Sequence, residues 1–333
     1  MRTYIGNIIR LSKICVVLIF NLKSQRLFIR KTIAIDIEKA RKTNDNSLDE
    51  YDFKKIRDYY GYAVPAILGE SYCLLRGKKM SEKERMAITY LGSLSGLFDD
   101  FFDKSNIPES DILSLVEHPE KMSPLNSNQQ LFLQFYLKAL ENSADINRIK
   151  NYFLKVFNAQ ILSKKQLLEG IDKNEIEYIT FEKGGVSFLF YRTIFSEHIS
   201  EVESLLFYKL GALMQLENDI FDVYKDHKAG IKTLATTEKN IEDLRKHYHL
   251  LTDELFDIAK STCFVEKNRT KFLRFTLLTI CRGFVCLDML QENQRLTHNE
   301  FLIDNYERKD LICDMEKPKN FFRTIKYYLK YEF

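Results

Sequence analysis

Twelve glycines and five prolines in 333 residues leave this chain few places to turn. Glycine and proline are the strongest local breakers, so their scarcity favours long uninterrupted helices. Apolar positions beyond residue 43 recur at helical spacing, and no segment alternates in the manner of a strand. The spacing predicts helices near 49–62, 64–76, 81–104, 127–142, 145–169, 174–197, 200–228, 238–262, 267–294 and 319–331. Ser81 followed by Glu84 forms a capping-box signature ahead of the third. The expected fold class is all-α, with one large helical bundle.

The polar stretch Thr43 to Glu50 (TNDNSLDE) is the clearest break in the chain. It divides an N-terminal helical extension, residues 1–42, from a main domain, residues 43–333. Within the extension, Ile14 to Leu22 is apolar apart from Asn21 and is flanked by Lys13, Lys23 and Arg26. It is too short to span a bilayer, and no small-residue cleavage site follows it. A helix packed on the domain is the favoured reading, with peripheral membrane contact through residues 1–30 as the alternative.

Composition excludes some function classes. Fifty basic residues against 47 acidic ones give a net charge of +3, with no basic stripe, which argues against nucleic acid as a partner. The six cysteines show no CxxC pair or zinc-like spacing and read as reduced cytoplasmic thiols. The 25 Phe and 18 Tyr, with no Trp, either fill a core or line an apolar cavity.

Two acidic stretches carry the chemistry. The first is Asp99-Asp100-Phe101-Phe102-Asp103 at the end of the third predicted main-domain helix. At about 100° per residue, Asp99 and Asp103 project together with Asp100 at their edge. Gly92, Ser95 and Gly96 lie above them on the same face and predict an empty groove. Carboxylates stacked this way destabilise a bare helix, unless a hard divalent cation joins them. The second stretch is Asn218-Asp219-Ile220-Phe221-Asp222-Val223-Tyr224-Lys225-Asp226. Asn218, Asp222 and Asp226 share one sector of a helix, Lys225 lies at its rim, and Tyr208, Gly211 and Gln215 precede them on that face. Opposed across a cavity, the two faces would enclose Mg²⁺ ions shared with substrate phosphate oxygens. Between them, Gly184 and Gly185 interrupt a helical stretch and predict a break or kink, the alternative being close helix packing.

The pair DDFFD and NDIFDVYKD resembles the two metal-binding motifs of class I isoprenoid synthases, in order and spacing over residues 55 to 310. Asn218-xxx-Asp222-xx-Lys225-Asp226 looks like the second motif of terpene synthases, with Asp222 and Asp226 standing where a hydroxyl residue and a glutamate are usual. It also resembles the Q-L-x-N-x-x-x-D-V-x-x-D of squalene and phytoene synthases. The resemblance implies a helical bundle with a central active-site cavity and about three Mg²⁺ ions, with Mn²⁺ as a substitute. The ligands implied are Asp99, Asp100, Asp103, Asn218, Asp222 and Asp226, whereas Asp219 stands where the pattern usually has no ligand. Asp99 and Asp222, with Lys183, would be the catalytic residues. Lys183, Lys225 and, less directly, Arg192, Tyr306 and Arg308 would contact diphosphate, and Gly184 and Gly185 would supply a kink lining the cavity.

Arg76, Lys78 and Lys79 read as surface charges. No arginine pair follows Asp103, which speaks against chain elongation. The leading expectation is therefore a terpene synthase that ionises one prenyl diphosphate. Head-to-head condensation, chain elongation and an inactive helical protein on a membrane surface are the alternatives, and a homodimer is left open.

Overall fold

The computed structural model describes residues 2–103 and 107–331, and every regular element among them is a helix. In chain order the longer ones are α1 (Arg2–Lys31), α2 (Ile33–Lys42), α3 (Glu82–Asp103), α4 (Ser127–Glu141), α5 (Ile146–Ser163) and α6 (Lys173–Arg192). After these come α7 (Glu201–Phe221), the short α8 (Val223–Lys228), α9 (Ile241–Ser261), α10 (Glu266–Leu296) and α11 (Pro318–Lys330). The expected all-α class is what forms. Among the described residues no helix is long and apolar enough to cross a membrane. All six cysteines are free thiols.

Helix starts follow the local chemistry. Ser81 and Glu84 exchange backbone and side-chain hydrogen bonds of 2.7 and 3.3 Å at the head of α3. Asn126 accepts from the Gln129 amide at the start of α4, and Ser200 accepts from Glu203 at the start of α7. Such caps satisfy amides that the first turn leaves without partners. The helix expected over 200–228 is instead two, meeting at Asp222. The helices expected over 49–62 and 64–76 become one winding stretch, with π turns at Lys55–Tyr60 and Val64–Gly69. Pro65, which cannot donate a backbone hydrogen bond, lies in the second π turn.

The chain forms two compact units. One comprises residues 15–158 and 189–198. Here α3 packs on α4 and on the stretch 55–69. Its centre is aromatic: Phe98 meets Phe153 at 4.9 Å between ring centroids, Phe101 meets Phe132 at 5.1 Å, and Phe153 meets Phe190 at 4.8 Å. All five are buried, so these rings fill a core. Arg76, expected at the surface, is buried between Glu84 and Glu197 and packs over the Phe195 ring. A guanidinium with five donors can serve two carboxylates and a ring face together, which a lysine cannot.

The other unit comprises residues 1–14, 159–188 and 199–333, where α7, α9 and α10 pack on one another and α11 covers α10. The break expected at Gly184 and Gly185 does not occur, because α6 runs unbroken from Lys173 to Arg192. The glycines serve close packing instead. A Cβ on Gly184 would collide with the Gly211 carbonyl oxygen of α7, and one on Gly211 would collide with the Gly184 carbonyl. Gly185 lies under the Tyr208 ring in the same way. The small side chains on α7 therefore receive a helix where a gap was expected.

Glu217 of α7 is buried against α9, 3.3 Å from the Tyr248 hydroxyl, which also donates to the Ile280 carbonyl at 3.0 Å. Burial raises its carboxyl to about 7, while the Arg282 charge and the Tyr248 hydroxyl pull the other way. The folded chain therefore binds this proton more tightly than the unfolded chain does. The contribution to stability is full below the unfolded value of 4.5 and is lost as pH rises through about 7.

Gly211→Ala should cost about 2 kcal/mol in denaturant unfolding, because backbone cannot move aside. Gly6→Ala, where a Cβ meets only the flexible end of Arg10, should be neutral or stabilising. Glu217→Gln should stabilise the protein at pH 8 by roughly 3 kcal/mol, an advantage that shrinks towards pH 5. A pH-independent difference would mean that Glu217 is charged in the fold.

Candidate functional site

The first motif closes α3. Asp99 is half-buried and accepts a hydrogen bond from the Tyr60 hydroxyl at 3.3 Å. Asp100 is 3% exposed and pairs with the Lys55 ammonium at 3.0 Å. Asp103 ends the helix, and its side chain lies outside the described residues. Lys55 and Tyr60 bound the first π turn, which presses against the small side chains above the motif. A Cβ on Gly96 would come within 2.9 Å of the Lys55 side chain and 3.0 Å of the Tyr60 ring. One on Gly92 would come within 2.9 Å of the Tyr60 carbonyl oxygen. The groove predicted over the carboxylates is thus filled by the 55–64 stretch. Ser95 contributes a further link, with its hydroxyl 2.5 Å from that of Tyr191.

Lys55 and Tyr60 were not recognisable as site residues from sequence. The available signal was Gly92-x-x-Ser95-Gly96, since a run of small residues demands a close partner as readily as it leaves a space. Asp100 shows the same tertiary override: where a ligand was expected, a buried ion pair forms. Breaking such a pair from one side is costly, because it leaves a buried charge without its counterion.

The second motif spans the joint between α7 and α8. The Asp222 amide donates to the Asn218 carbonyl at 2.8 Å and the Asp226 amide to that of Asp222 at 2.9 Å, so helical bonding continues through the joint. Asn218 and Lys225 are exposed, Asp222 is half-buried and Asp226 is buried. Lys225 approaches Asp222 at 3.4 Å, as its place on the rim predicted. Asp219 points inward and accepts from Gln215 at 2.8 Å and from the Thr180 hydroxyl of α6 at 3.1 Å.

Burial raises the Asp219 carboxyl to about 6, with the Gln215 hydrogen bond and the Lys183 charge opposing. Burial, then the charges of Asp219 and Asp222, raise Asp226 to about 7, with Lys225 and Lys183 opposing. The charges of Asp219 and Asp222 thus add to burial in opposing ionisation of Asp226, and two lysines relieve this only in part. Lys183 reaches this cluster because the Gly184–Gly211 contact holds α6 against α7.

The C-terminal segment joins the same neighbourhood. The short helix Arg308–Leu311 packs on α8, and His227 meets Asp304 at 2.9 Å. Arg308 is exposed. The Tyr306 hydroxyl lies 2.5 Å from that of Thr297, and its ring stacks on Phe301. Arg192 belongs to the unit of residues 15–158 and 189–198. It is 2% exposed, lies over the Tyr72 ring at 4.2 Å, and donates to the Phe195 and Glu197 carbonyls. In place of an open diphosphate contact, its guanidinium braces the turn after α6.

The donors fit a hard divalent cation. They are carboxylate and amide oxygens, and a cation would relieve the like-charge repulsion that adds to burial in raising Asp226. Among the described residues no group of three His, Cys, Asp or Glu could hold a metal alone. Mg²⁺ commonly takes only one or two carboxylates and completes its shell with water and phosphate oxygens.

No family model matches the chain, and no curated protein matches it. Among solved structures it is similar to a dehydrosqualene synthase crystallised with a ligand. The two share 16% sequence identity, with a TM-score of 0.49 over 83% of this chain and 96% of the other.

Asp226→Asn should stabilise the protein in EDTA at pH 8, by about 1–2 kcal/mol once solvent screening is allowed for. A loss of stability instead would show that the carboxylate is held by a favourable partner.

Proposed function

We propose that this chain is a Mg²⁺-dependent isoprenoid enzyme that ionises a prenyl diphosphate and releases diphosphate. The observation that carries the reading is the carboxylate cluster of Asp219, Asp222 and Asp226, kept together against its own repulsion with Lys183 and Lys225 alongside. Unused repulsion of this kind lowers stability, and a bound cation with an anionic ligand recovers it.

In this reading Asn218, Asp222 and Asp226 hold Mg²⁺ on the α7–α8 joint, and Asp99 with Asp103 do so at the end of α3. Bound Mg²⁺ neutralises diphosphate and makes it a better leaving group. Lys183 and Lys225 supply positive charge to the phosphate oxygens, and Arg308 does so from the C-terminal segment. Tyr60 orients the Asp99 carboxylate, and Lys55 holds Asp100 in place behind it. Gln215 and Thr180 fix Asp219, so that it acts as buried negative charge beside the ligands.

Ionisation of a single prenyl diphosphate in the manner of terpene synthases is the leading form of the reaction. Head-to-head condensation is the second reading, favoured by Gln215-Leu216-x-Asn218-xxx-Asp222-Val223-xx-Asp226.

Mg²⁺ with inorganic diphosphate should raise the melting temperature of the wild-type chain by several degrees, and either component alone by less. Asp99→Ala and Asp222→Ala should each reduce turnover of a prenyl diphosphate at least about 100-fold. Products formed without isopentenyl diphosphate, analysed by mass spectrometry, should separate single-substrate ionisation and condensation from elongation. A folded protein that shows neither turnover nor a Mg²⁺-dependent shift would overturn the proposal.

A further inference from the structure

Helix α1 keeps large apolar side chains on the face turned away from its domain. Its inward face carries Asn21 and Gln25 together with Leu11 and Ile29, all buried. The Asn21 amide donates to the Ala66 carbonyl, and the Gln25 amide donates to the Gly61 carbonyl and the Thr89 hydroxyl at 2.9 and 3.0 Å. Its outward face carries large apolar side chains: Val16 is 67% exposed, Phe20 71% and Leu27 57%. At about 100° per residue these three fall within a narrow stripe opposite the buried face. Lys23 and Arg30 border the stripe on one side and Lys31 on the other, and all three are exposed.

The charge is as lopsided as the apolarity. Between Arg2 and Lys31 there are seven basic residues and no acidic one, and the first acidic residue of the chain is Asp36. The chain as a whole is nearly balanced, so this is a local enrichment. An inner face hydrogen-bonded to the domain, an apolar outer ridge and a basic border together describe a helix lying in a bilayer interface.

We propose that the outward face of α1 docks the protein on an anionic lipid bilayer, with Val16, Phe20 and Leu27 entering the acyl boundary and the flanking lysines and arginines meeting lipid phosphates. A second copy of the chain fits the face less well. Pairing like faces would bring the same basic border against itself, and that repulsion has no acidic residue on α1 to offset it. The proposal stands independently of the reaction proposed above.

The full-length protein should co-sediment with vesicles of phosphatidylcholine mixed with phosphatidylglycerol, and not with phosphatidylcholine alone. Added salt should weaken the binding. Phe20→Asp should weaken it at least about tenfold, and Lys23→Ala combined with Arg30→Ala about 30-fold. These side chains are exposed, so each variant should keep its circular dichroism and its melting response to Mg²⁺ and diphosphate. Wild-type protein that stays in the supernatant with both vesicle types would overturn the proposal. So would equal, salt-independent binding to both. A dimer in sedimentation velocity that Phe20→Asp dissociates, without any vesicle binding, would assign the face to a second copy instead.

Discussion

The contact between the Gly184 and Gly211 backbones sets the surroundings of the second acidic motif. Neither position tolerates a Cβ, so α6 and α7 approach to backbone distance there. That closeness brings Thr180 onto Asp219 and the Lys183 charge to Asp219 and Asp226. One turn away the same approach places the Tyr208 hydroxyl 2.6 Å from Glu182. A bulkier side chain at the crossing would separate the helices and remove the positive charge from the acidic joint. Glycine here supplies proximity, and the flexibility usually associated with it is not used.

Negative charge in both acidic stretches is managed in layers. Asp100 and Asp219 are turned inward and given partners, Lys55 for the first and Gln215 with Thr180 for the second. Asp99, Asp222 and Asn218 remain accessible. Inward carboxylates fix the geometry and add negative potential, while the outward groups lie nearer solvent. Low dielectric strengthens both effects, which is why Asp226 is pushed so far above an ordinary aspartate.

Aromatic residues also divide by position. In the unit of residues 15–158 and 189–198, Phe98, Phe101, Phe132, Phe153 and Phe190 make a continuous packed centre behind the first motif. The two phenylalanines of Phe98-x-x-Phe101 point into it, and this anchors the end of α3 so that Asp99 faces the opposite way. Phe20 follows another logic, being left outward on α1 while Asn21 and Gln25 share the inward face with Leu11 and Ile29.

Sequence alone determined the helical class, most helix limits and the acidic motifs themselves, because these depend on local periodicity, capping and the shortage of breakers. The Ser81–Glu84 cap and the basic flanks Lys13, Lys23 and Arg26 of the apolar run in α1 are legible in the same local way. Tertiary structure decided what the small residues were for. Gly92 and Gly96 accept the 55–64 stretch, and Gly184 and Gly211 accept each other, where spacing suggested open space and a kink. It also decided that Asp100 and Arg192 are held within the frame and that Lys183 reaches the joint. A missing side chain is compatible with a gap or with a close neighbour, and only the course of a distant part of the chain selects between them.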